Sequence, residues 1–260
     1  MSYNNIIFEI EDGVAVITLN RPEAMNALCG DLNTEMLDAL SVLSDFGRAR
    51  VLILTGGRKV FAAGADIKEM LFATPLRAGD IARSGLLVNE AIESLPIPTI
   101  AAVSGAAIGG GCELALACDF RVAGESAVFS LPEVGLGIMP GAGGTQRLLP
   151  LVGLGLTREM VMLGRRLRGR EAVAVGLANR LADDDAVMET ARALAAELMK
   201  MPAISLMSAK KAVNEGANNT LTEGKKQETA AFALTFSAPD QREGMQAMLE
   251  KRPPQYTHSL

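Results

Sequence analysis

Two short apolar-rich stretches open the chain. Residues 5–11 and 14–20 cluster and alternate their hydrophobic side chains as strands do, and Asp12-Gly13 between them is a strong hairpin signal. From Asp31 the period changes: Leu32, Met36, Leu37, Leu40 and Leu43 recur at helical spacing, with Asp31 placed to act as N-cap. The run VLILT at 51–55 predicts a short buried strand ended by Gly56-Gly57. A helix is predicted over about 76–95, stopping before Pro96 and Pro98, because a proline drives the residue before it out of the helical region. Thr99 to Val103 predicts another buried strand, followed by a small-residue turn and an apolar helix through LALAC. This order of strands and helices indicates an α/β fold with both sheet faces covered.

Beyond about residue 140 helical spacing dominates, over 144–163, near 170–176, and over 185–200, 203–215 and 220–250, the last broken near Pro239. Asp183, Asp184 and Asp185 suit the positive N-terminal end of the helix through Leu194 and Leu198. No repeat of fixed period is visible. The expected organisation is an α/β core over 1–198 and a helical part over 199–260.

Composition narrows the classes. Hydrophobic residues make up 49% of the 260 and charged residues 21%, which fits a soluble globular enzyme with a sizeable core. No apolar run approaches the roughly 20 residues of a membrane span, and the first 20 residues resemble neither a signal nor a transit peptide, so a cytoplasmic location is expected. The net charge of −5, with both signs mixed along the chain, offers no footprint for nucleic acid. Cys29, Cys112 and Cys118 form no CxxC pair and fit reduced thiols better than a disulfide framework or a zinc site. The only histidine, His258, lies near the C-terminus, so a Ser-His-Asp or Cys-His mechanism would have to draw on the tail.

Two carboxylates carry the candidate chemistry. Glu113, in GGGCELALACD, stands between three glycines and an apolar helix, where a charge is costly unless paired, hydrogen-bonded or protonated. The glycines let backbone N–H groups approach a ligand, and the helix start favours developing negative charge. Glu133, in FSLPEVGLGIMPGAGGTQ, has equally apolar, glycine-rich surroundings, with GAGG turning into a helix at Thr145 or Gln146. Alone, each could be an ordinary acid, Glu113 of a first helical turn and Glu133 of a surface turn. As a pair they could divide acid and base roles, although sequence spacing does not show that they meet. A third segment, KVFAAGADIKEM (59–70), joins a short apolar strand to a small-residue turn open to a ligand, or simply to a tight connection. Other signals are weak. GAGGTQ lacks the last glycine of a dinucleotide fingerprint, Ser208-x-x-Lys211 lies on a helical face, and Cys112 has no histidine to activate it.

Taken together, LNRPEAMNAL (19–28), FAAGADIKEM (61–70), AAVSGAAIGGGCELALACD (101–119), SLPEVGLGIMPGAGGTQRL (130–148) and REGMQAMLEKR (242–252) resemble the enoyl-CoA hydratase (crotonase) family across nearly the whole chain. The resemblance implies a crotonase-like spiral of ββα units with a helical C-terminal region that builds homotrimers, commonly paired into hexamers. It implies an acyl-CoA thioester substrate and hydration of an enoyl-CoA to 3-hydroxyacyl-CoA by Glu113 and Glu133. The oxyanion-hole amides fall on Ala63 and Gly110. Contacts to CoA and substrate fall on Ala24, Met25, Ala63, Gly64, Ala65, Asp66, Ile67 and Gly110, with Phe232 and Lys251 reaching the nucleotide from the C-terminal region. Residues 71–95 would line or cover the acyl pocket. No metal or redox cofactor is implied, coenzyme A being part of the substrate. Glu23 stands where some relatives carry a lysine near the CoA phosphates, which puts phosphate recognition there in doubt, and Ser104 replaces a frequent asparagine. The same scaffold supports double-bond isomerases and hydratases of branched or alicyclic thioesters, but the presence of both glutamates favours hydration. Some relatives bind RNA through a lysine-rich helix; the lysines at 210, 211, 225 and 226 are too sparse, on an acidic chain, to favour that.

Overall fold

The computed structural model describes residues 3–45 and 47–258. Strands β1 (Ile6–Glu11) and β2 (Val14–Leu19) form the opening hairpin, with Glu11 opposite Val14. Asp12 and Gly13 take φ of 49° and 78°, the two left-handed residues that a tight hairpin turn needs. Helix α1 (Gly30–Ser44) buries Leu32, Met36, Leu40 and Leu43. Its N-cap is Cys29 rather than the expected Asp31, which sits in the first turn. The amide of Gly30 is instead taken by the Glu69 carboxylate, at 3.2 and 3.3 Å to its two oxygens, so a side chain from a neighbouring segment does the capping work.

Three further strand–strand–helix units follow. They run β3 (Val51–Thr55), β4 (Val60–Ala62), α2 (Ile67–Met70) and α3 (Pro75–Ser94); then β5 (Thr99–Val103), β6 (Ala106–Ile108) and α4 (Gly110–Ala117); then β7 (Phe120–Gly124), β8 (Val128–Ser130), a 3₁₀ turn at Glu133–Leu136 and α5 (Gly144–Leu163). The first strand of each unit joins a six-stranded sheet in the order β1-β2-β3-β5-β7-β10, and the second joins a four-stranded sheet in the order β4-β6-β8-β9. Each unit therefore adds one strand to each sheet, and the chain winds forward as a spiral. The edges are completed by β9 (Leu167–Arg168), α6 (Gly169–Ala174) and β10 (Arg180–Ala182). Helices α7 (Val187–Met199), α8 (Ala203–Ala217), α9 (Leu221–Thr235) and α10 (Pro239–Glu250) close the chain, with the expected break just before Pro239. The expected single helix over 144–163 is two, because Gly153 breaks α5 with φ 75° and ψ 167°.

From β2 to β10 the larger sheet is parallel. Its central strands β3 and β5 are buried on both faces, which is why they read as continuous apolar runs rather than alternations. Period two decides which face each side chain meets. Val51 and Ile53 pack with Val187, Ala191 and Leu194 of α7, while Leu52 and Leu54 enter the main core with Phe61, Leu114 and Phe129. Each such fully buried aliphatic side chain contributes roughly 1.5–3 kcal/mol. Arg121 is buried as well, at 3% exposure. Its guanidinium donates to the carbonyls of Cys118 (2.6 Å) and Ala115 (3.3 Å), satisfying the C-terminal end of α4, and to that of Leu177 (2.6 Å) beyond α6.

Candidate active site

Helix α4 begins where β6 ends, and its first turn is wedged beneath the turn that follows β4. A Cβ at Gly111 would lie 2.3 Å from the Ala62 carbonyl oxygen and 2.7 Å from the Ala62 Cβ, so only glycine permits this approach. The close seating brings the segments 62–66 and 109–113 together, and both were candidates from the sequence.

The turn at 62–66 is held in place by the segment 21–28. Asn26, buried and at φ 55°, donates through Nδ2 to the carbonyls of Gly56, Val60 and Phe61, at 3.0, 3.2 and 3.2 Å. Arg21 pairs with Asp66 at 3.2 Å and donates to the Ala27 carbonyl. Backbone bonds zip the two segments together: Ala63 N–H to Met25 O at 3.1 Å, Leu28 N–H to Gly64 O at 2.8 Å and Asp66 N–H to Leu28 O at 2.8 Å. The Ala63 amide, expected to face a thioester oxygen, is thus already committed to Met25.

Two amides of the turn, those of Gly64 and Ala65, donate to no partner among the described residues, and the one that faces α4 is that of Ala65. Leu28 bridges its two neighbours in parallel register, so the N–H of Ala65 points to the opposite side. That side is Gly110: a Cβ there would sit 3.4 Å from the Ala65 nitrogen. Gly110 is the first residue of α4, and its amide, like that of Ala65, makes no hydrogen bond among the described residues. Two unspent N–H groups therefore lie side by side at the positive end of a helix.

Both carboxylates border this pair. Glu113 is buried (3% exposed), and its Oε1 accepts from the amides of Ala142 at 2.9 Å and Gly144 at 2.8 Å. Oε2 takes no hydrogen bond among the described residues. Burial raises the Glu113 carboxyl above the usual range, opposed by the two amide bonds and by the charge of Arg147. Glu133 opens the 3₁₀ turn after β8, and its Oε1 lies 3.1 Å from where a Cβ of Gly109 would be. Its Oε2 is buried without a hydrogen-bond partner among the described residues. Burial, with a smaller push from the Glu113 charge, raises its carboxyl to about 7. Both carboxyls are thus raised, but unequally: Glu113 has two amides and a cation opposing the rise, and Glu133, lifted to about 7, is the one disposed to hold a proton. Cys112 is fully buried and its thiol is pushed well up by burial and by both carboxylates, so it is a packing residue.

The raised Glu133 carboxyl has a consequence for stability. Between about pH 4.5 and 7 the folded chain holds a proton there that the unfolded chain has released. Its stabilising contribution is full below about 4.5 and lost as pH rises through about 7. Glu133→Gln cannot ionise, so its Tm relative to the parent protein should climb as pH is raised from about 5 to about 8 in calorimetry. A difference constant over that range would contradict the carboxyl's raised position.

Of the remaining expected residues, Ala24, Met25, Gly64 and Asp66 belong to the two zipped segments beside the unspent amides and Ile67 follows at the start of α2, with Met25 and Ile67 exposed. Phe232 and Lys251 lie in the C-terminal helical region: Phe232 meets Phe236 edge to face at 5.2 Å, and Lys251 is the left-handed residue that ends α10. Ser104 is buried just after β5. Among the described residues no group of three or more His, Cys, Asp or Glu is placed to hold a metal ion. No helix among them is long and apolar enough to cross a membrane.

Comparison with known proteins places the whole chain beside one family. The family described as enoyl-CoA hydratase/isomerase matches residues 9–259. A crotonyl-CoA hydratase of Syntrophomonas wolfei is 42% identical over 253 residues, covering 97% of each chain. A short-chain-enoyl-CoA hydratase of Clostridium acetobutylicum is 40% identical, also over 97% of each. Among solved structures, an enoyl-CoA hydratase from Bacillus anthracis superposes with a TM-score of 0.93 at 38% identity, covering 98% of this chain and all (100%) of that one.

Proposed function

The chain belongs to the enoyl-CoA hydratase/isomerase family, and from that membership we propose that it catalyses the reversible addition of water across the α,β double bond of an enoyl-CoA thioester, giving the 3-hydroxyacyl-CoA. The observation that carries this reading is the meeting of two carboxylates of unequal environment with two unspent backbone amides. As the water oxygen bonds to Cβ, the π electrons move toward the thioester, whose oxygen gains negative charge. The amides of Ala65 and Gly110 stabilise that oxygen. Glu113, raised by burial and held on Oε1 by the amides of Ala142 and Gly144, takes the water proton on the free Oε2. Glu133 delivers a proton to Cα, completing the addition, and the proton held by Glu113 then passes through the next water to Glu133, which restores both groups. In the reverse direction the roles exchange.

Coenzyme A is part of the substrate in this reading, and the chemistry calls for no further cofactor. The segments 24–25 and 63–67 hold the CoA portion, with Phe232 and Lys251 reaching the nucleotide from the C-terminal region. The acyl chain runs toward α2 and α3, where Leu71, Phe72 and Leu76 are exposed. The region 199–260 builds a homotrimer or a pair of trimers; its helices expose Phe232, Phe236, Met245 and Met248, which a neighbouring subunit would cover. Sizing that returns an active monomer contradicts that assembly. The buried, unpaired thiols fit work in the cytoplasm.

The testing experiment is a panel of linear, branched and alicyclic 2-enoyl-CoA thioesters, followed by loss of the conjugated double bond's absorbance. Short linear members should be hydrated. No turnover across the panel, with absorbance instead gained from 3-enoyl thioesters, would assign double-bond isomerisation.

A further inference from the structure

The anion at Glu113 depends on a stretch of backbone 29 or more residues away in sequence, and that backbone is itself held by side chains. Arg147, on the first turn of α5, is largely buried at 12% exposure and folds back over the residues before its own helix. Its Nη1 donates to the Ala142 carbonyl at 2.7 Å. A Cβ at Gly143 would lie 2.1 Å from that nitrogen, so the guanidinium lies flat against the loop only because residue 143 is glycine. Nε and Nη2 form a two-pronged pair with the Glu93 carboxylate of α3, at 2.6 and 2.7 Å. Asn89, one turn earlier on α3 and buried, donates to the same Ala142 carbonyl at 2.9 Å. Behind it, Asn214 of α8 donates to the Glu93 carbonyl at 3.2 Å. A continuous chain of bonds thus runs from α3 through Arg147 to Ala142, whose other face, the amide, grips Glu113.

We propose that Arg147 is a positioning residue for the reaction: anchored by Glu93, it fixes the Ala142–Gly144 backbone so that both amides meet Glu113 Oε1 and Oε2 is left for water. The inference rests on the hydratase reading, since it concerns the base of that reaction. Arg147 touches no reacting atom. A two-pronged guanidinium–carboxylate pair sets an orientation that a single point charge does not, and small errors in the placement of a catalytic group lower turnover steeply. The groups that face Glu113 are Glu133 from the 3₁₀ turn, Cys112 beside it on α4, and Arg147 from α5, with Glu93 behind Arg147. Of these only Arg147 is a cation, and its charge favours the ionised base.

The test is steady-state hydration across pH with Arg147→Gln, Arg147→Lys and Glu113→Gln, each shown to be folded by circular dichroism. Arg147→Gln should lower kcat on the order of 10-fold to 100-fold with KM little changed. Its acidic limb of kcat/KM should move to higher pH, because removing a cation disfavours the ionised base and delays its appearance. Arg147→Lys keeps the charge but not the fork. Its limb should stay near that of the parent protein, and its kcat should fall between the two. A folded Arg147→Gln with parental kcat overturns the proposal, and so does a lowered kcat with an unmoved limb, which marks a purely structural loss. If Arg147→Gln does not fold, Arg147→Lys decides: reduced kcat at unchanged KM supports the proposal and parental kcat overturns it. Full activity in Glu113→Gln would instead sink the reading of Glu113 as base, independently of Arg147.

Discussion

Glu113→Gln lowers the turnover of hydration by roughly 10²–10⁴-fold, the range for loss of a positioned general base, with a much smaller change in KM. The amide side chain keeps the volume and still accepts from Ala142 and Gly144 through its carbonyl oxygen. What it loses is an oxygen basic enough to take the water proton. Because Glu113 is buried and receives its bonds on one oxygen, the replacement should fold, so the loss reports chemistry rather than structure. Stopped assays on the purified variant check this. Turnover within a few-fold of the parent would remove Glu113 from the reaction. Glu133 is open to the same substitution, and the two losses should not add, because both side chains serve the same addition as a unit.

The second large effect concerns backbone. Gly110→Pro removes one of the two proposed oxyanion donors and should lower turnover by about 10²–10³-fold. Proline is well tolerated at the first position of a helix, where its missing N–H breaks no intrahelical bond. The added ring still has to fit: a Cβ at this position meets Leu28 Cδ1 at 3.3 Å and the Ala65 nitrogen at 3.4 Å. Gly110→Ala is the control, carrying the same Cβ while keeping the amide. Proline far below alanine in turnover, with both proteins folded and equally assembled, identifies the N–H as the active element. Equal losses in the two would mean that crowding is responsible.

Much of this architecture is legible in the chain, and the parts that are not have physical reasons. Long elements with strong periods, such as α1, α3 and the buried strands β3 and β5, declare themselves through side-chain pattern. Strands β6 and β8 have three residues each, too few for an alternation to register, and β6 is two alanines and an isoleucine that read equally well as a turn. The ββα repeat is hidden because its units start at Val51, Thr99 and Phe120, at uneven spacing. Glu113 and Glu133 stand out as carboxylates in apolar, glycine-rich sequence, and resemblance assigns their roles. Choosing between Ala63 and Ala65 is beyond sequence, since it depends on which amide the segment 21–28 consumes. Arg147 gave no signal either: an arginine on a helix is ordinary until its Ala142 and Glu93 contacts are seen.

The most direct measurement of the central claim is a crystal structure with an unreactive acyl-CoA thioester bound. The thioester oxygen should lie about 2.7–3.1 Å from the nitrogens of both Ala65 and Gly110. Glu113 Oε2 and Glu133 should flank the Cα–Cβ bond with a single water between them, and Ala63 N–H should still be bonded to Met25. A thioester oxygen held elsewhere, or a Cα–Cβ bond out of reach of both carboxylates, would contradict the mechanism even with coenzyme A bound along segments 24–25 and 63–67.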